Sequence, residues 1–245
     1  RLNVPVNVAF NNQETLGKLV QRLSTQLEPD SLALEVAFTN TPFLQENGFT
    51  EETILALFIP NTYEFYWNTP ANKIANKLAK EYNKFWNEDR LTKAKAKNLT
   101  PIQVYTLASI VHKETAKVDE RPDVAGVYLN RLRQDMPLQA DPTIIYAIKL
   151  RSGDFDQEIK RVFYNDLRIK SPYNTYINKG LPPGPIAMPD VSAIDAVLNA
   201  TNHDYIYFCA NPDKPGYHAF ASSYEAHQVN AKKYAEWVTK LGIDR

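Results

Sequence analysis

The chain has 245 residues, 44% of them hydrophobic and 23% charged, with 28 Lys plus Arg balanced by 28 Asp plus Glu. These proportions are those of a globular protein and exclude a disordered tail, a collagen-like rod and a low-complexity linker. Balanced charge argues against a general nucleic-acid binder, which needs a basic surface, and the single cysteine, Cys209, excludes an internal disulfide and a cysteine-built zinc site.

Residues 4–10 alternate as a strand, and Leu16, Leu19, Val20 and Leu23 are spaced for a helix within 12–27. A short helix is expected from Thr50, ended by Pro60, with an aromatic run from Tyr63 to Trp67. A long helix starts at Thr69-Pro70, with Ile74, Leu78, Tyr82 and Phe85 on one stripe and a charged tail reaching Asn98. There the chain is expected to divide into lobes 1–98 and 99–245. The second lobe opens on a capping box: Thr100 as cap, Pro101 at the first helical position and Gln103 three residues after the cap. That helix is expected to run to about Lys117 and another to cover 120–134. A third opens at Asp141-Pro142, read as cap and first position, and runs through Leu150. Residues 171–189 hold five prolines and two glycines and form a long loop of the functional kind. A helix at 191–200, strands at 204–210 and 217–221 and a helix at 223–240 complete an α+β fold, a helical catalytic core with small β-sheet elements in two lobes. No apolar run is long enough to span a membrane. The chain opens on Arg1 rather than Met, so an upstream segment with any signal or anchor is expected to have been removed.

Glu114 is the most informative residue for chemistry. Leu107, Ile110 and Val111 lie three to seven positions before it, so it continues an apolar helix stripe. A carboxyl there is desolvated and keeps its proton to higher pH, as a general acid requires. The competing reading is a helix-end glutamate paired with a lysine. His112 lies about 200° around the helix and points away from Glu114. His203, His218 and His227 show no metal-binding spacing, so neither metal nor cofactor is expected. Asp141 is either a helix cap or a second catalytic carboxylate. Asn130 and Gln139 could hydrogen-bond a sugar or serve the backbone. The loop segments Tyr173-Asn174-Thr175-Tyr176 and 180–185 place aromatics and amides as a carbohydrate site would. Cys209, inside an apolar strand run, reads as an inert core thiol.

The stretch Ala108-Ser109-Ile110-Val111-His112-Lys113-Glu114-Thr115 resembles the catalytic-helix motif of the YceG-like (MltG) endolytic murein transglycosylases. Further stretches match in order: 127–132, 136–143, 173–176, 180–186, 205–208 and 218–220 in the second lobe, and 59–63 in the first. The resemblance implies an enzyme that cuts the β-1,4 bond between MurNAc and GlcNAc within peptidoglycan glycan strands, leaving 1,6-anhydroMurNAc ends. It places the catalytic glutamate at Glu114 and the substrate-binding residues at Asn130, Gln139, Asp141, Thr143, Tyr173, Asn174, Thr175, Tyr176, Pro183 and His218. His112 departs from the family pattern, which has Glu there. The resemblance further implies an N-terminal anchor in the cell inner membrane, a LysM-like region, a periplasmic catalytic lobe, and peptidoglycan synthases (penicillin-binding proteins) as partners. A hydrolase using Glu114 with Asp141, and a glycan-binding module without catalysis, remain alternatives.

Overall fold

The computed structural model describes residues 5–240; Val4, where the first strand was expected to begin, lies outside them. Strands β1 (Pro5–Phe10) and β2 (Asn61–Tyr66) pair antiparallel, Pro5 opposite Tyr66 and Phe10 opposite Asn61. Their alternation buries Val8, Phe10, Tyr63 and Phe65 on one face. Helix α1 (Leu16–Ser24), capped by the Thr15 side chain, buries Leu19, Val20 and Leu23. Helices α2 (Ser31–Thr39) and α3 (Thr41–Asn47) follow in a region where no element was expected. The helix expected from Thr50 is only a 3-10 turn at Ile54–Leu57. All four of its residues are buried, so no polar face is left for an amphipathic helix. Helix α4 (Ala71–Phe85) stops before Asn87, which caps a separate helix, α5 (Glu88–Ala96). The charged tail is therefore an element in its own right.

Helix α6 (Pro101–Glu114) is the centre of the second half. Its capping box forms as expected: Gln103 N–H donates to Thr100 Oγ1 at 3.2 Å, and Thr100 N–H donates to Gln103 Oε1 at 2.9 Å. Every residue from Val104 to Val111 is buried, as in a helix enclosed on all sides. Its neighbours are α7 (Arg121–Arg133), α8 (Asp141–Ser152) and α9 (Val191–Leu198). The Tyr105 hydroxyl donates to Phe58 O at 2.7 Å, joining α6 to the first half. One apolar cluster runs from Val8 to Leu198. At roughly 1.5–3 kcal/mol for each large side chain fully buried, this continuity is what holds the two halves together. The hairpin β3 (Tyr207–Ala210) and β4 (His218–Ala221) packs against α10 (Tyr224–Lys240). Cys209 on β3 is only partly buried, and burial raises its thiol pKa.

Candidate active site

Glu114 is the last residue of α6, because Thr115 turns extended and ends the helix. The last turn is fixed from outside by Glu14, which takes Lys113 Nζ and Lys149 Nζ at 2.8 Å each and so ties α6 to α8. Burial pushes the Glu14 carboxyl up, but the two lysines outweigh it and hold it below the usual carboxylate range. Two turns into α7, the Tyr128 hydroxyl lies 3.1 Å from Glu114 Oε2, to which it donates. Tyr128 is 1% exposed, so this hydroxyl needs a protein partner. Desolvation raises the Glu114 pKa; the nearby His218 imidazole and the Tyr128 hydrogen bond pull it down, while Asp141 and Glu120 push it up. Burial wins, and the carboxyl keeps its proton to higher pH than an ordinary glutamate.

Glu120, in a 3-10 turn at Val118–Glu120, is a buried carboxylate that holds His218 beside the site. It accepts from His218 N–H at 2.6 Å, from His218 Nδ1 at 2.8 Å and from the Thr115 hydroxyl at 3.0 Å. The carboxylate can only accept, so the Nδ1 atom carries the proton and Nε2 of a neutral ring is left as acceptor.

On the third side is the α8 N-terminus. Asp141 was read as its cap, and this is corrected: α8 begins at Asp141, the cap position is Ala140, and no side chain caps it. The Asp141 carboxylate instead accepts from the Tyr176 hydroxyl at 2.5 Å. Gln139 is exposed, with its backbone at φ 54, a left-handed conformation that a non-glycine residue seldom adopts. Two partners hold it there: its N–H donates to Thr175 O at 3.0 Å and its Oε1 accepts from Arg131 Nη1 at 3.1 Å. Arg131 also donates to Pro137 O, Leu138 O and Ile206 O.

Hydrogen bonds and charge thus link Glu114 with Tyr128, His218, Asp141 and, through Asp141, Tyr176, on a face where Asp141 and Gln139 are exposed. The other residues named from the sequence serve the backbone or the core. Asn130 donates to His203 O and Tyr205 O at 2.8 Å each, holding the entry to the hairpin. Asn174 is fully buried and donates to Leu167 O and Ile169 O. Thr143 and Thr175 are buried and hydrogen-bonded to each other at 2.8 Å. Tyr173 is buried against Tyr146 with ring centroids 4.7 Å apart. Pro183 lines a different cavity. His112 lies on the other face of α6, 3.3 Å from Arg121 Nη2 and accepting from Asp190 N–H at 3.4 Å. Burial lowers its pKa, Asp190 raises it, and Arg121 and Lys113 lower it further.

Glu120, Tyr128 and Arg131 were not singled out by sequence reasoning. A buried tyrosine and a buried arginine on one helix announce a need for partners, but those partners sit on other segments: Glu114, 14 positions before Tyr128, and for Arg131 both residues 137–139 and Ile206, 75 positions on. Among the described residues no group of three or more His, Cys, Asp or Glu could hold a metal ion, and no helix is long and apolar enough to cross a membrane.

Comparison with known proteins matches residues 1–233 to the model of the YceG-like family. The chain is 36% identical over 177 residues to a protein of Streptococcus pneumoniae named endolytic murein transglycosylase, covering 71% of this chain and 31% of that one. It is 35% identical over 176 residues to a protein of the same name from Bacillus subtilis, covering 71% of this chain and 46% of that one. The chain therefore spans less than half the length of these relatives. A crystal structure of a yceG-like protein from Listeria monocytogenes superposes with a TM-score of 0.71 at 27% identity, covering 92% of this chain and 75% of that one. With the family pattern matched along almost all of its length and a solved member sharing its fold, the chain belongs to the YceG-like family.

Proposed function

We propose that this chain carries the catalytic machinery of an endolytic murein transglycosylase, cleaving the MurNAc–GlcNAc β-1,4 bond inside glycan strands and leaving 1,6-anhydroMurNAc ends. The observation that carries this reading is the desolvated carboxyl of Glu114, which ends its helix and is fixed by the Tyr128 hydroxyl. The name shared by its relatives supports it. Protonated Glu114 gives its proton to the glycosidic oxygen as the bond from MurNAc C1 to that oxygen breaks, and GlcNAc leaves with a 4-hydroxyl. The resulting carboxylate takes the proton of the MurNAc C6 hydroxyl as O6 bonds to C1 of the same sugar. Because the nucleophile is tethered to the reacting ring, no second carboxylate has to activate water. Gln139, Asp141, Tyr176 and His218 position the sugar from the face. Asn130, Thr143, Tyr173, Asn174 and Thr175 hold the segments that carry them, and the substrate is the glycan strand of peptidoglycan.

A second reading is favoured by Asp141, whose charge is felt at Glu114: a hydrolase in which Asp141 directs water at C1. Digestion of purified glycan strands in isotopically labelled water, read by mass spectrometry, tests both. Unlabelled anhydro ends support the transglycosylase; label in new reducing ends selects the hydrolase; strands retained without any product select a glycan-binding module. The proposed place of work is the cell wall, on the periplasmic side of the cell inner membrane to which an upstream anchor would tie the chain. Peptidoglycan synthases (penicillin-binding proteins) are the proposed partners, since the strands to be cut are their products.

A further inference from the structure

A cavity of about 880 Å3 lies at the opposite end of α6 from Glu114, and none of the residues around Glu114 lines it. Its walls are the turn from α5 into α6, the first turns of α6, one face of α7, the proline turn at 180–183 and residues 200–202. Leu99, Ile102, Leu129, Leu132 and Leu181 supply apolar surface, and Asn98, Gln103 and Asn202 supply amides. Lys97 and Arg133 also line it. Among the described residues neither is ion-paired with a carboxylate, whereas the nearby Lys93 is paired with Asp89 at 2.8 Å. Arg133 reaches only a neutral partner, Asn130 Oδ1. The Lys97 ammonium is partly buried; that burial, then the charges of Arg133 and Lys93, lower its pKa. Two cations held together beside apolar surface without an acid repel each other, and an anion between them would relieve this.

An anionic group on a small apolar body fits such a lining. We infer that this cavity binds the peptide stem borne by the glycan strand, its carboxylate held between Lys97 and Arg133 and its apolar side chains on Leu129, Leu132 and Leu181. This rests on the glycan-strand reading of the Glu114 site. The geometry supports the stem as occupant. Glu114 lies 11 positions beyond Gln103 on one helix, about 16 Å at 1.5 Å per residue. An extended peptide covers roughly 3.3–3.6 Å per residue, so about five residues bridge the two places. Both places lie along α7, which gives Tyr128 to Glu114 and Leu129, Leu132 and Arg133 to the cavity.

The test uses the whole chain and a sugar-free stem pentapeptide, titrated by calorimetry, with the same peptide methyl-esterified at its carboxylates as control. The free peptide should bind, the ester about tenfold more weakly, and Lys97→Ala should weaken the free peptide by about fivefold or more with an unchanged melting curve. Leu129→Asp, which places a like charge in the path of the carboxylate, should abolish binding. Equal binding of ester and acid, or undiminished binding to a folded Lys97→Ala protein, overturns the inference. So does tighter binding of an acidic apolar peptide of ordinary L-residues, which would make the cavity a protein-docking site. The parallel readout on strands separates the two readings. Anhydro ends formed without carboxylate-dependent peptide binding sink this inference alone; carboxylate-dependent binding without anhydro ends upholds it and sinks the transglycosylase.

Discussion

Glu120 grips His218 twice, taking its backbone N–H at 2.6 Å and its ring Nδ1 at 2.8 Å, so a single buried carboxylate fixes the place and the tautomer of the imidazole. Glu120→Gln should keep the backbone bond but present an amide N–H to Nδ1, moving the ring proton to Nε2. Turnover should fall by about tenfold or more. Nitrogen NMR of the imidazole distinguishes this from a merely structural role: an unchanged tautomer with reduced turnover would contradict it.

Glu114→Gln should reduce anhydro-product formation by about 10²–10⁴-fold, the usual cost of losing a general acid. It should also leave the protein more stable at neutral pH. Burial raises the folded-state pKa of Glu114, so the folded form favours the protonated carboxyl. That contribution is full below the ordinary glutamate pKa and is lost as pH rises through the raised one. The Gln variant has no such loss. Its melting temperature should match wild type in acid and exceed it near pH 7; an equal gap at both pH values would refute the assignment.

Asp141→Asn removes a charge that raises the Glu114 pKa. The limb of the pH–rate profile on which the acid is lost should move to lower pH, with turnover at the optimum kept within about tenfold. Asp141→Ala removes no capping bond but does remove the Tyr176 hydrogen bond, so it should cost about 1–2 kcal/mol, the worth of a charge at a helix N-terminus plus one hydrogen bond. A near-dead Asp141→Asn enzyme would move the mechanism to two carboxylates.

His112→Glu, which puts in the residue that the resemblance assigns to this position, should change activity less than about tenfold, because this position faces Arg121 and Asp190 and sits on the other side of α6. A tenfold change with unaltered pH dependence would show that this face of α6 matters to turnover.

What could be read from the sequence was what local chemistry dictates. Thr100, Pro101 and Gln103 mark the start of α6 because all the partners of a capping box lie within one turn, and the apolar stripe carries Glu114 to its end. The same local logic failed at Asp141: Asp-Pro reads as a cap, but a tyrosine 35 positions on draws its carboxylate away. Glu120 was invisible for a related reason. It lies in a three-residue turn with no periodicity, and its partner His218 is 98 positions away. Helices α2 and α3 were missed in a stretch whose apolar residues face both the core and solvent: Leu34 and Phe38 are buried while Leu32 and Val36 are exposed.

Gly184→Ala should be destabilising by about 1–3 kcal/mol, the cost of overpacking. A Cβ there would sit 2.0 Å from Glu52 O, where the proline loop meets the backbone of the first half. Thermal melting checks it, and an unchanged midpoint would mean that the loop can shift without cost.

The four bonds of Arg131 bear on how a polymer enters the site. One guanidinium holds the carbonyls of Pro137 and Leu138 and the Gln139 side chain on one border, and Ile206 at the root of the His218 hairpin on the other. It acts as a fixed strut. The borders cannot spread apart to let a long strand thread between them without breaking several charge-assisted bonds at once. On the proposed reading, a strand whose ends are far away is therefore laid onto the face from the side, and lateral loading suits cutting in the interior of a chain.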